Sequence, residues 1–104
     1  KDIVSFFIKS HLADDVELDV HMAANKLNMS RHTLYRKLKK EEVSFQSLVE
    51  DVRQKEAVRH LQDNRVSVSE VAFLLGFSEL SAFSRAFKRW TGESPVQYRS
   101  SRLH

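Results

Sequence analysis

The sequence predicts an all-α fold: seven helices, arranged as two helix-turn-helix subdomains joined by a long bridging helix. Three observations lead there. Two glycines and one proline among 104 residues are too few for a sheet-rich chain full of tight turns. Apolar residues recur at helical spacing along most of the chain. The order helix, short turn, helix occurs twice, which is the signature of an internal repeat. A chain of this length forms one domain, or two very small ones sharing a core, and buries roughly 60 to 70% of its unfolded surface without staples.

Each element has a local reason. Asp2 is a good N-cap, and Ile3, Val4, Phe7, Ile8, His11 and Leu12 follow at helical spacing, so the chain opens with an amphipathic packing helix. A second helix is expected to start at the cap Asp19, bury Val20, Ala23, Ala24 and Leu27, and end at Asn28, a residue that tolerates the left-handed conformation. Ser30 caps a third helix, Arg31 to about Lys40, with Leu34 and Leu38 inward; the first helix-turn-helix spans about 19–41. Residues 44–63 form the bridging helix. On a wheel of about 100° per residue, Phe45, Leu48, Val49 and Val52 cluster on one side, while Ala57, Val58 and Leu61 fall roughly opposite. A helix packed on one core keeps one stripe, so the first half is expected to pack on the N-terminal unit and the second on the C-terminal unit, as a rigid bridge.

The second unit, about 67–91, repeats the grammar of the first. Ser67, Val68, Ser69 and Glu70 form a capping box that opens a helix with Val68, Val71, Ala72 and Leu75 inward, closed by Gly76. Ser78 is expected to cap the next helix, with Phe83, Ala86, Phe87 and Trp90 inward; these rings are core residues rather than a stacking platform for single strands. Side by side, Ala24 pairs with Ala72, Leu27 with Leu75, Asn28 with Gly76, Met29 with Phe77 and Ser30 with Ser78. After one inserted residue, Leu34 pairs with Phe83, Arg36 with Arg85, Leu38 with Phe87 and Lys39 with Lys88. Ser94, Pro95 and Gln97 supply a cap, a proline at the first helical position and a Gln three residues on, which starts a final helix over about 94–102.

Several chemistries are excluded by composition. With no cysteine there is no disulfide framework, thiolate nucleophile or cysteine zinc site. His11, His21, His32 and His60 fall on different elements, and no Gly-rich phosphate loop or placeable carboxylate pair is present, so no enzyme, metal or cofactor is expected. The longest apolar runs, such as Val71 to Leu75, are too short to span a membrane, and no cleavable signal opens the chain. The first residue, Lys1, leads us to expect a fragment of a longer protein.

A net charge of +3 is a weak pointer to nucleic acid until it is resolved along the chain. Residues 1–30 carry −2 and residues 41–70 carry −3, whereas residues 31–40 carry +5 and residues 71–104 carry +3. The positive segments hold the second helix of each unit. Opposite Leu34 and Leu38 lie His32, Arg36, Lys39 and Lys40, flanked by Thr33 and Tyr35; opposite Phe83 and Phe87 lie Ser81, Arg85, Lys88 and Arg89, flanked by Ser84. Neither face carries an acidic side chain. One basic helix face is commonly just solvated. Two copies in register fit a helix-turn-helix whose second helix enters the major groove, where Arg pairs with guanine and Lys neutralises phosphate. The matched Arg36 and Arg85 are the strongest candidates for base reading. The rival from another class is a helical protein-interaction module whose basic faces bind an acidic partner.

The run from Gly76 through Phe77, Ser78, Glu79, Leu80, Ser81, Ala82, Phe83, Ser84, Arg85, Ala86, Phe87, Lys88, Arg89, Trp90 and Thr91 to Gly92, followed by Ser94-Pro95-Val96-Gln97-Tyr98-Arg99, resembles the signature of the AraC/XylS family of bacterial transcription regulators. Met29 to Lys39 is similar to the first motif of that family. The resemblance covers nearly the whole chain. It implies a seven-helix domain for double-stranded operator DNA, behind an effector-binding or dimerisation domain. Its two recognition helices would enter successive major-groove segments about 10 base pairs apart. RNA polymerase is a further expected partner, and the location expected is cytoplasmic and nucleoid-associated. Carried over by position, base-reading residues fall on His32, Tyr35 and Arg36 and on Leu80, Ser81, Ser84 and Arg85. Phosphate contacts are expected from Ser30, Arg31, Thr33, Lys39 and Lys40 and from Ser78, Lys88 and Arg89. The sequence departs from the family after Lys39: where many members have Thr-Gly then Ser-Pro, it has Glu41-Glu42-Val43-Ser44-Phe45, with two glutamates unfavourably placed at a helix C-terminus.

Overall fold

The structure, a computed structural model, describes residues 2–13 and 20–102. Among the described residues seven helices follow one another: α1 (Asp2–His11), α2 (Val20–Lys26), α3 (Arg31–Lys40), α4 (Phe45–Leu61), α5 (Val68–Leu74), α6 (Leu80–Thr91) and α7 (Pro95–Arg102). No strand occurs among the described residues. The chain divides into two compact units in the middle of α4, residues 1–53 and 54–104. That division lies where the apolar stripe of α4 changes face: Leu48 and Val52 are buried in the first half, Ala57 and Leu61 in the second.

In the first unit Val4, Phe7, Ile8 and Leu12, then Ala23 and Ala24, then Leu34 and Leu38, join Leu48 and Val52 as the buried apolar set. Two expectations for α1 change. Asp2 is its first residue rather than a cap preceding it, and sits in the first turn where the helix dipole favours a carboxylate. Ile3, expected inward, is 68% exposed, because it lies toward Phe6 on the outer side of the helix, away from the stripe of Val4, Phe7 and Ile8. The expected cap Asp19 lies outside the described residues.

The two turns repeat bond for bond. After α2, the Asn28 N–H donates to the Asn25 carbonyl (3.2 Å) and Met29 N–H to that of Ala24 (3.0 Å), with Asn28 at φ 56°. After α5, Gly76 N–H donates to Phe73 (3.0 Å) and Phe77 N–H to Ala72 (3.0 Å), with Gly76 at φ 87°. Both are Schellman closures that need one left-handed residue, which explains the pairing of Asn28 with Gly76.

The second helices start differently. Ser30 Oγ accepts the Thr33 N–H at 3.0 Å, as expected of an N-cap. Ser78 does not do the same: the N-cap of α6 is Glu79, whose side chain makes no capping bond. The inserted residue lies in the turn, ahead of the helix, so α6 begins one position later and Glu79 takes the place of Ser30. The remaining expected caps form. Ser67 and Glu70 make a reciprocal capping box, and Ser94 and Gln97 another, with 3.1 Å bonds in both directions. Ser44 and Ser47 cap α4 reciprocally, also at 3.1 Å, a pairing that Ser-x-x-Ser signals less openly than Ser-x-x-Glu.

The second unit is held by rings. Phe83 and Phe87 are wholly buried, with centroids 5.7 Å apart, and Phe87 meets Tyr98 edge-on at 5.2 Å and Trp90 at 6.4 Å. Arg99 of α7 donates from Nε to the Leu61 carbonyl (3.0 Å) and from Nη2 to that of Asp63 (3.3 Å), placing a cation on the C-terminus of α4. Arg65 hydrogen-bonds the Asp63 carboxylate and holds its pKa below the ordinary value.

The departure after Lys39 is a third Schellman closure. Glu42 N–H donates to Lys39 (2.9 Å) and Val43 N–H to Leu38 (3.0 Å), with Glu42 left-handed at φ 61°. The left-handed region costs a non-glycine residue about 1–2 kcal/mol. Glycine there would give back part of this through unfolded-chain entropy, roughly 0.5–1 kcal/mol. Glu42→Gly is therefore expected to stabilise the chain by about 1 kcal/mol, helped by removing a carboxylate from a helix C-terminus. Urea unfolding measures this directly, and a variant no more stable than the parent would refute it.

Candidate nucleic-acid interface

Each candidate recognition helix presents one face to its own core and the other to solvent. On α3, buried Leu34 and Leu38 fix the orientation, and His32, Tyr35, Arg36, Lys39 and Lys40 stand exposed opposite them. On α6, buried Phe83, Ala86 and Phe87 do the same, leaving Ser81, Arg85, Lys88 and Arg89 exposed, Leu80 at 44% exposure and Ser84 half-buried. The exposed residues of each helix thus lie along one face per unit, with Ser30 and Ser78 in the turns ahead of α3 and α6.

The polar contacts on these faces differ in kind. On α3, the Ser30 hydroxyl is engaged twice, accepting from Thr33 N–H and donating to Thr33 Oγ1 at 2.8 Å, and so builds the helix start. Arg31 donates from Nη1 to His21 Nε2 at 3.0 Å. The Lys39 ammonium sits 5.8 Å from the centre of the Tyr35 ring, so the tyrosine supports the lysine from below. On α6, Ser81 Oγ donates to Glu79 Oε2 at 3.3 Å. Glu79 is exposed at the head of that helix, and reading the outward faces alone missed it because the sequence placed the cap at Ser78.

The basic excess of the C-terminal segment also divides by role. Arg99 is spent on the end of α4. Arg102 packs on the Tyr98 ring at 4.0 Å and pairs with Glu93 at 3.2 Å. Arg85, Lys88 and Arg89 are the C-terminal cations on the exposed face of α6.

Comparison with known proteins agrees with this geometry. The chain matches a family model described as a helix-turn-helix domain over residues 23–101. It is 37% identical over 83 residues to the ornithine utilization regulator of Pseudomonas aeruginosa, a match covering 80% of this chain and 24% of that protein. The chain spans about a quarter of the length of the curated relatives it matches. Among solved structures it is similar to a DNA-binding transcriptional dual regulator from Escherichia coli K-12, with a TM-score of 0.86 at 27% identity, covering 96% of this chain and 94% of that one. It is also similar to the DNA-binding domain of the global transcriptional factor AdpA in complex with a target DNA, with a TM-score of 0.75 at 32% identity and coverage of 94% and 87%. Two closed helix-turn-helix units, each with a basic second helix, and a family match over most of the length lead to one conclusion: the chain belongs to the AraC/XylS family of transcription regulators, as a helix-turn-helix DNA-binding domain.

Proposed function

We propose that this domain reads double-stranded operator DNA sequence-specifically, with α3 and α6 each entering a major-groove segment. The observation that carries this reading is the matched pair of exposed faces, Arg36 with Lys39 on α3 and Arg85 with Lys88 on α6, each set opposite a buried apolar stripe. His32, Tyr35 and Arg36, and Leu80, Ser81, Ser84 and Arg85, take the base edges; Leu80 offers an apolar contact suited to a thymine methyl. Arg31, Thr33, Lys39 and Lys40, with Ser78, Lys88 and Arg89, take phosphates, and Ser30 serves through its cap. In the full-length regulator the further partners are an effector-binding or dimerisation domain and RNA polymerase, and its place is the cytoplasm, on the nucleoid.

Selection from a random-sequence duplex library, followed by titration of selected and scrambled duplexes across salt, tests the reading. The selected duplex should bind at least about 10³-fold tighter than the scrambled one at physiological salt. Both affinities should fall steeply with salt, by about 0.9 in logarithmic slope per phosphate neutralised. Footprinting should show two protected groove segments about 10 base pairs apart. A basic module for an acidic protein would show no duplex preference at any salt.

A further inference from the structure

Glu79 is an acidic residue where the rest of the face is basic or neutral. It occupies the N-cap of α6 with extended backbone (φ −140°, ψ 143°), yet its side chain caps nothing. In the first unit the equivalent place holds Ser30, which does cap its helix. A serine cap contributes about 1 kcal/mol, so the second unit forgoes a local gain to place a carboxylate at the head of α6. The first turn of a recognition helix is the part that approaches base edges. There a carboxylate is repelled by phosphates and by the acceptors of guanine, and adenine sets its N7 acceptor beside its amino group. Cytosine offers an N4 amino donor, the group that Glu accepts from in the major groove.

Resting on the DNA-reading function proposed above, we infer that Glu79 is a specificity-determining residue of the second unit: its carboxylate accepts from the N4 amino group of a cytosine. Ser81 steadies it. The Ser81 hydroxyl donates to Glu79 Oε2 at 3.3 Å, which turns the carboxylate along the exposed side of α6 and leaves Oε1 for the base. Arg85 follows six residues later, on the exposed face of α6, and is the guanine-reading candidate of the same unit. The competing account is that Glu79 only favours the helix dipole from its N-terminus.

Duplex selection with the wild-type chain, Glu79→Ala and Glu79→Gln separates the two, with thermal melting run alongside. The wild-type consensus should hold a cytosine within the segment where Arg85→Ala also relaxes preference. Glu79→Ala should lose that preference, about tenfold in discrimination, while other positions keep theirs. Glu79→Gln should change it to adenine, to whose N6 and N7 a carboxamide bonds in pairs. Unchanged consensus sequences in both variants, whether or not melting shifts, would overturn the role of Glu79 and leave DNA reading intact. A wild-type chain that selects no sequence would overturn both.

Discussion

Phe87→Ala is expected to lower the stability of the chain by about 3–5 kcal/mol, read by urea or thermal unfolding. Phe87 is wholly buried and touches three rings edge-on, with centroids at 5.7 Å from Phe83, 6.4 Å from Trp90 and 5.2 Å from Tyr98, the first two on neighbouring turns of α6 and the third on α7. Truncation removes the transfer free energy of a whole ring, leaves a cavity, and forfeits edge-to-face pairs that contribute about 0.5–1.5 kcal/mol each. Collapse around the cavity is opposed by the neighbours' own anchoring, since Phe83 also packs against the tilted Phe77 ring at 5.6 Å. Against a total of about 5–15 kcal/mol for a domain of ordinary stability, this is the largest single-residue effect expected here. Phe73 supplies the control: it is 67% exposed, and its truncation should shift stability by no more than about 0.5 kcal/mol. If the second unit reads DNA when folded, a selected duplex at about 100 times its Kd restores roughly 2.7 kcal/mol to the Phe87→Ala variant. A loss below about 1.5 kcal/mol would mean that the ring cluster closes over the gap, and the orienting role given to Phe87 would fail with it.

Most of the fold was legible because it rests on local rules. Ser67 with Glu70 and Ser94 with Gln97 announced their helices, and Asn28 and Gly76 announced their turns, since each bond joins residues within five positions of one another. The stripe reversal in α4 was visible from wheel angles alone, and burial follows it from Leu48 and Val52 to Ala57 and Leu61. What the residues did not disclose has one of two causes. Ser78 and Glu79 are both plausible caps, and an insertion placed in a turn shifts the helix start by one residue without altering the apolar pattern behind it. Arg99 and Arg102 counted toward the basic excess, yet their partners are the Leu61 carbonyl, 38 positions away, and the Tyr98 ring with Glu93. Sequence arithmetic weighs every cation alike; only tertiary contact separates those that hold the fold from those left facing outward.

That separation narrows the candidate face to few enough cations for a mutational series to resolve. Arg36→Ala and Arg85→Ala should each weaken binding to the selected duplex by about 1–3 kcal/mol and relax preference at different positions. Both side chains are exposed on the outward face of their helix, and both stand two residues after the first buried anchor, Leu34 and Phe83. The same anchor and the same spacing give the two guanidinium groups the same approach, and a planar fork suits the O6 and N7 pair of guanine as a point charge does not. Lys39→Ala and Lys88→Ala should behave otherwise, weakening every duplex alike and lowering the salt slope by about 1. Lys39 carries an added signature. Its ammonium rests over Tyr35, so on the scrambled duplex, where base reading does not contribute, Tyr35→Ala should reproduce part of the Lys39 loss, whereas Tyr35→Phe, which keeps the ring, should not. Titrations of each variant against selected and scrambled duplexes, at two or more salt concentrations, decide among these outcomes. Equal losses on both duplexes for the arginine variants would make them phosphate contacts. Loss of preference with Arg85→Ala alone would make the first unit a positioning clamp, and reading would then rest on α6.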